Sequence, residues 1–163
     1  MSDPLHAYSV RQPWAWAMFH LPPESWLDVL DELEPLPPDH LGRPVLIHAS
    51  GELDRMAAWS LIVLTSGLAP PHPDDLPRGQ LVGACIFTDC VTSHGSAYYF
   101  GGHGWVVGPR VAFKLPVAAV GQPGLWKPPE QELLVTADHA APYRLRVPEP
   151  PLGVEIPCRP NSW

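Results

Sequence analysis

One apolar run in this chain is too short for a long helix and too uniform for a solvent-exposed strand. It covers residues 44–49 and contains three consecutive aliphatic side chains. Such a run is typical of a strand buried on both faces, so we predict a central strand here. Side chains alternate along a strand, which places His48 and Ser50 on one face, opposite Ile47 and Ala49.

The second half of the chain has the residue types and spacing of strands. β-branched and aromatic residues fill four segments, at residues 81–89, 105–107, 111–117 and 124–126. Glycines interrupt these segments and supply the bends that a small closed barrel requires. Two further strands are predicted in the proline-rich tail, at residues 143–147 and 154–156.

Helical spacing appears in the first half of the chain. A short strand at residues 7–10 precedes Pro13, and proline is favoured in the first turn of a helix. Residues 52–65 read as an amphipathic helix, with Gly67 as its C-terminal cap. Its inward residues are predicted as Leu53, Met56, Ala57, Leu61 and Leu64.

An acidic surface helix is predicted at residues 24–33. Its apolar residues recur at helical spacing: Trp26, Val29, Leu30 and Leu33. Acidic residues in and just after this stretch occur without any Lys or Arg: Glu24, Asp28, Asp31, Glu32, Glu34 and Asp39. Residues 24–34 are therefore also a candidate docking surface for a basic protein partner, although a plain solvated face is the simpler interpretation.

Charge and cysteine content narrow the classes of function. The formal charge is −7 and only two of the ten basic residues are lysines, which disfavours a broad RNA-coating role. Cys85 and Cys90 are spaced to lie on opposite faces of a strand, unlike a zinc-binding turn, and buried thiols are expected. No metal site and no cofactor are predicted.

Boundaries and location follow from the same sequence. The 23 prolines cluster between the predicted elements, and the length suits one domain with appendages. We place a domain at residues 7–127 and a proline-rich extension at 128–163 that packs on it. The N-terminus lacks the pattern of a secretory signal and no apolar stretch is long enough to span a bilayer, so a cytoplasmic protein without a membrane partner is expected.

Four segments, in order, carry a family resemblance. Residues 9–16 read Ser-Val-Arg-Gln-Pro-Trp-Ala-Trp, and residues 44–50 end in Ile-His-Ala-Ser. Residues 76–91 run from Pro-Arg-Gly to Asp-Cys-Val, and residues 104–126 end in Gln-Pro-Gly-Leu-Trp. Together they resemble the ASCH family. The resemblance implies an α+β, PUA-like small β-barrel flanked by two to three helices, with a cleft between the barrel and the first helix and an association with RNA or nucleotides.

Six residues are expected to line a ligand cleft: Arg11, Gln12, Trp14, His48, Ser50 and Trp105. Arg11 and Gln12 follow a strand and precede a helix N-terminus, where an Arg can hold a phosphate and a Gln can address a base edge. The alternative is that Arg11 pairs with a carboxylate and Gln12 only caps the helix. Trp14 could stack on a base, as could the aromatic loop at residues 98–100.

Catalysis has weaker support. His48 is a candidate general base, with Ser50 beside it and Asp89 as a third weak candidate. ASCH members resembling amidohydrolases of acetylated cytidine use a Lys after the first helix, and residues 20–34 contain no lysine. We therefore expect a module that binds a nucleotide or a short single-stranded RNA. The alternatives are a hydrolase, either a ribonuclease or a modified-nucleoside amidohydrolase with His48 as base, and a protein-interaction module.

Overall fold

The computed structural model describes residues 5–129. The strands predicted at 143–147 and 154–156, Cys158 and nearly all of the proline-rich extension lie outside the described residues. Within the described part of the chain, no helix is long and apolar enough to cross a membrane.

The described residues form an α+β fold, as the sequence predicts. The strands are β1 (His6–Gln12), β2 (Val29–Glu32), β3 (Pro44–Leu53), β4 (Gln80–Val91), β5 (His103–Ala118) and β6 (Leu125–Trp126). The helices are α1 (Trp14–His20) and α2 (Met56–Ser66), and short 3-10 turns occur at Pro23–Ser25, Pro38–His40 and Pro73–Asp75. The segments predicted as separate strands at 105–107 and 111–117 are continuous in β5.

The six strands form one sheet that curls into a half-barrel. Their order is β2-β5-β4-β3-β1-β6, and only the β1–β3 pair is parallel. β3 lies between β1 and β4, so the predicted central strand is confirmed. The curl brings β1 back towards β2. The hydroxyl of Tyr8 in β1 donates to Oε2 of Glu32 in β2 at 2.7 Å, across the concave face.

Strand alternation divides the apolar residues between the two faces of this sheet. Tyr8 and Ile47 belong to the large cluster on the concave face, which α1 covers with Ala15, Ala17 and Met18. Their neighbours Ala7 and Leu46 belong to a smaller cluster on the convex face. Burial of these clusters provides the main driving force for folding.

Cys85 and Cys90 are buried thiols, as predicted. Burial raises the pKa of Cys85 to about 12, so its thiol is inert at neutral pH. The prediction that they face opposite sides of the strand is wrong, since both belong to the concave cluster. Irregularities in the β4–β5 register around Phe87 change the alternation between the two cysteines.

The acidic helix predicted at residues 24–33 is absent, and this prediction is wrong. The segment contains a 3-10 turn and then β2, which pairs antiparallel with β5. Leu33 is exposed although helical spacing placed it on the buried face. Pairing with β5 outweighs the local helical pattern, because the backbone of residues 29–32 obtains its partners from that strand.

The second predicted helix exists but begins later and turns a different face inward. Residues 52 and 53 extend β3, and α2 buries Ala58, Trp59 and Ile62. Met56 and Leu64, predicted to face inward, are 64% and 83% exposed. The helix carries no charged residue, so its periodicity could not identify the packed face. Gly67 adopts φ 74° and its N–H donates to Val63, which confirms the predicted cap.

Candidate functional site

The junction between β1 and α1 gives its two polar residues different roles. Gln12 is fully buried, and its side chain donates to the carbonyl of Pro77 and accepts from the N–H of Trp16. It therefore satisfies one N–H at the start of the helix, and its burial keeps it from contacting a ligand. Arg11 is exposed and lies 3.0 Å from Glu52, Nη2 to Oε2. Gln12 thus caps the helix, as the alternative interpretation of the sequence has it. Arg11 pairs with the carboxylate of Glu52, as the same alternative has it.

A cleft of about 370 Å³ lies on the concave side, where the curl leaves a gap between β1 and β2. We call it the inner cleft. Its lining comes from β1, the start of α1, the segment around β2, the junction between β3 and α2 and the loop after β4: Ser9, Val10, Arg11, Trp14, Leu27, Val29, Leu30, Asp31, Glu32, Leu33, Asp54, Tyr98 and Phe100. The cleft therefore adjoins the first helix, where the family resemblance placed one.

Aromatic rings form one side of the inner cleft. Trp14 contacts Tyr98 edge-on at 5.8 Å and Phe100 at 6.5 Å between ring centroids. The indole N–H of Trp14 donates to Asp54 at 2.7 Å, and the hydroxyl of Tyr98 shares a hydrogen bond with Thr65. Phe100 is 63% exposed at the rim. Trp14 and Tyr98 are thus held in place, and Phe100 offers an open ring face.

Three carboxylates also line the inner cleft. Oδ2 of Asp31 accepts from the backbone N–H groups of Phe100 and Gly102, which fixes the aromatic loop against β2. Glu32 accepts from Tyr8, and Asp54 accepts from Trp14. Three carboxylates therefore surround a space whose lining contains one cation, Arg11.

Glu32 has an altered acidity. Burial raises its pKa, the hydrogen bond from Tyr8 lowers it, and the charges of Asp31 and Arg11 raise and lower it respectively. The net effect is an increase. A carboxyl group whose pKa is raised in a cleft is a feature of functional sites as well as of structural networks.

We expect replacement of Glu32 by Gln to stabilise the protein progressively, relative to the parent, as pH rises above the usual pKa range of a glutamate carboxyl group. The raised pKa means that the folded parent retains the Glu32 proton where the unfolded chain has lost it. Its stabilising contribution is complete below the unfolded pKa and is lost as pH rises through the folded pKa. Urea unfolding at several pH values measures the difference. Glu34→Gln, at an exposed position, is the control, and parallel curves for parent and Glu32→Gln would contradict the prediction.

A second cleft, of about 660 Å³, lies on the other side of β1. We call it the outer cleft. It is lined by Ser9, Arg11, His48, Ser50, Gly51, Glu52, Gly79 and residues 119–124. Arg11 and His48 are both among its lining residues, but Arg11 is exposed and His48 is buried.

His48 is held tightly at the base of the outer cleft. Its ring is 2% exposed, Nε2 donates to the carbonyl of Ala119 at 2.8 Å, and Nδ1 lies 3.3 Å from Oγ of Ser9. Nε2 carries the proton in this assignment, because a carbonyl can only accept. A Cβ on Gly121 would lie 2.3 Å from the ring, so the 119–124 loop packs directly on it. Nε2 thus holds that loop through Ala119, while Nδ1 faces Ser9 of β1.

The remaining predicted site residues lie apart from either cleft or serve local contacts. Trp105 is buried, packs against Tyr8 and Phe87, and donates from Nε1 to the carbonyl of Glu34. It is a core residue that lines neither cleft. In the sheet His48 pairs with Leu81 of β4. Asp89 lies eight positions further along β4, roughly 25 Å of strand, and is therefore far from His48. The hydroxyl of Ser50 exchanges hydrogen bonds with the backbone of Glu52 at the rim of the outer cleft.

Strand β1 thus separates the residues expected to share one site. Trp14 lies in the inner cleft, His48 and Ser50 lie in the outer cleft, and Arg11 borders both. Sequence reasoning found the aromatic loop but assigned the acidic residues of β2 to a solvated helix. It also missed Asp54, which has no distinguishing motif. No protein-family model and no curated protein sequence matches this chain.

Proposed function

We propose that this protein is a PUA-like ASCH module that binds the base of a nucleotide or of a short single-stranded RNA in the inner cleft. The observation that carries the proposal is the aromatic side of that cleft, with Phe100 open at the rim and Trp14 behind it. The four ordered segments that resemble ASCH sequences and the curled six-stranded sheet support it.

Size and chemistry favour a single base. About 370 Å³ is within the range of small-molecule sites, which run from about 300 to about 1,000 Å³. A base can stack on the face of Phe100 while its polar edge meets the carboxylates of Asp31 and Glu32. Carboxylate oxygens accept hydrogen bonds, so bases with amino or ring N–H donors suit this cleft best.

The phosphate contributes less than the base in this proposal. Arg11 is the cation at the cleft, and Glu52 lies beside its guanidinium. A chain with a formal charge of −7 also repels a long phosphate backbone. Binding should therefore depend weakly on salt, because few counterions are released.

The test is a calorimetric titration of the full chain with nucleosides, nucleotides and short single-stranded RNAs. Phe100→Ala is expected to weaken binding by about tenfold to about a hundredfold, since one stacked base is worth about 1–3 kcal/mol. Val120→Ala, at an exposed apolar position of the outer cleft, is the matched control and should bind as the parent does. Absence of saturable binding to every ligand would overturn the proposal. Loss of binding in Val120→Ala, with binding retained in Phe100→Ala, would also overturn it.

The hydrolase alternative receives less support from the site. Nε2 of His48 donates to Ala119, Nδ1 faces the hydroxyl of Ser9, and the residue has almost no exposed surface. Ser9, its neighbour, already donates its single proton to the carbonyl of Gln122 at 2.8 Å. A base that activates a nucleophile needs access to a substrate proton, which this arrangement does not offer.

The protein-docking alternative also loses its basis. Residues 24–34 do not form a helix, and several acidic side chains in them make internal contacts. Asp28 accepts from Ser96 at 2.6 Å, Asp31 holds the aromatic loop, and Glu32 holds Tyr8. These carboxylates organise the inner cleft rather than present a uniform acidic surface.

A further inference from the structure

The charge of the inner cleft is unusual for a site that faces nucleotides. Asp31, Glu32 and Asp54 line it, and its one cation, Arg11, has Glu52 within 3.0 Å. The local balance is therefore negative. An anion is disfavoured inside the cleft, and a positive charge placed there would be attracted.

The aromatic side of the cleft acts in the same direction. The ring centroids of Tyr98 and Phe100 lie 5.8 and 6.5 Å from the ring centroid of Trp14. The faces of aromatic rings carry negative potential and attract cations, and tryptophan does so most strongly. Aromatic rings and carboxylates around one cavity are the combination that recognises a cationic group.

One acceptor atom remains for such a group. Tyr8 bonds Oε2 of Glu32, and the loop amides bond Oδ2 of Asp31. Oδ1 of Asp31 packs against Gly102. Oε1 of Glu32 is not among the fully buried polar atoms that lack a partner, so it is the carboxylate oxygen left for a ligand.

We propose that the inner cleft selects bases that carry a positive charge, such as a purine methylated on a ring nitrogen, over their neutral parents. This inference rests on the proposed function, because it assumes that the ligand is a base. A flat cationic ring uses the whole site: its face stacks on Phe100 and its delocalised charge lies against the carboxylates. A compact ammonium group would use the charge but leave the open ring face of Phe100 without a stacking partner.

Three nucleosides separate charge from shape. 1-Methyladenosine is cationic at neutral pH, N6-methyladenosine carries the same methyl group without the charge, and adenosine has neither. We expect 1-methyladenosine to bind at least about tenfold more tightly than the other two, since attraction to carboxylates and to ring faces act together. Calorimetric titrations of the full chain at one neutral pH and one salt concentration measure the three affinities.

Variants test whether the carboxylates cause the preference. Glu32→Gln and Asp54→Asn each keep an acceptor for Tyr8 or Trp14 and remove one charge. Each should reduce the ratio of the 1-methyladenosine affinity to the adenosine affinity severalfold. Glu34→Gln, an exposed acidic residue outside the cleft lining, should leave that ratio unchanged. Thermal unfolding of each variant verifies that it is folded.

The outcomes distinguish this inference from the proposed function. Equal binding of all three nucleosides overturns selection for charge and leaves base binding intact. Equal tight binding of both methylated nucleosides shows recognition of the methyl group and also overturns it. Binding of none of them counts against the proposed function itself. Tighter binding of a trimethyllysine peptide than of 1-methyladenosine overturns the assignment of the ligand to a base.

Discussion

Replacing Arg110 with Met is expected to lower the free energy of unfolding by about 2–5 kcal/mol, because it leaves buried carbonyl groups without donors. Nη1 of Arg110 donates to the carbonyls of Met18 and Leu27, at 2.9 and 2.6 Å. Nη2 and Nε donate to Val107 and Gly108 within β5. One side chain thus ties the end of α1 and the segment before β2 to the sheet.

The environment of Arg110 explains why Met is a demanding replacement. Burial lowers the pKa of its guanidinium, while Cys85 and the charge of Asp28 act in the opposite direction. Its charge is stabilised by backbone carbonyls and by the ring of Trp26, whose centroid lies 4.6 Å from Cζ. Met fills the volume of the stem but donates to none of these groups.

Urea unfolding of Arg110→Met, Arg110→Lys and the parent measures this effect. The Lys variant keeps the charge but lacks the planar fork, so an intermediate loss is expected. Arg78→Met, at an exposed position, is the control and should change stability by less than about 0.5 kcal/mol. An Arg110→Met protein as stable as the control would show that water replaces the guanidinium without cost.

Replacing Phe87 with Ala should cost about 3–5 kcal/mol, the usual range for deleting a buried phenyl ring. Phe87 is completely buried in β4 and packs edge-on against Trp105 with 5.4 Å between ring centroids. It lies where the β4–β5 register is irregular, and its ring belongs to the large cluster on the concave face. A cavity there cannot close easily, because both flanking strands are fixed by backbone hydrogen bonds.

The matched control for this prediction is Phe100→Ala. Phe100 is the same residue type but is largely exposed at the rim of the inner cleft. Its removal should change the unfolding free energy by less than about 0.5 kcal/mol while weakening ligand binding. Chemical denaturation of both variants provides the comparison. Equal losses of unfolding free energy in Phe87→Ala and Phe100→Ala would contradict the difference in burial between the two residues.

The candidate site was only partly visible in the sequence. The strand-to-helix junction at Arg11 and the aromatic residues at 98–100 could be identified, because proline and aromatic clusters are local signals. Gln12 and Trp105 could not be excluded, since burial of a polar or aromatic side chain depends on distant partners. Gln12 bonds to Pro77 and Trp105 to Glu34, across 65 and 71 positions of the chain.

The sequence by itself determined the features that depend on neighbouring residues. These are the central strand β3, the glycine cap of α2 and the start of α1 after Pro13. Each follows from a short uniform apolar run, from a positive φ or from the fixed φ of proline, and none requires knowledge of the rest of the fold.

Tertiary structure alone decided the rest. Residues 29–32 form a strand because β5 supplies their backbone partners, although their own spacing favours a helix. That pairing, together with the curl of the sheet, brings Asp31 and Glu32 into one cleft with Trp14. The side of β1 on which each predicted residue lies was also settled only by the curl. The physical reason is that a strand takes its hydrogen bonds from other segments, so its existence and its surroundings depend on the whole sheet.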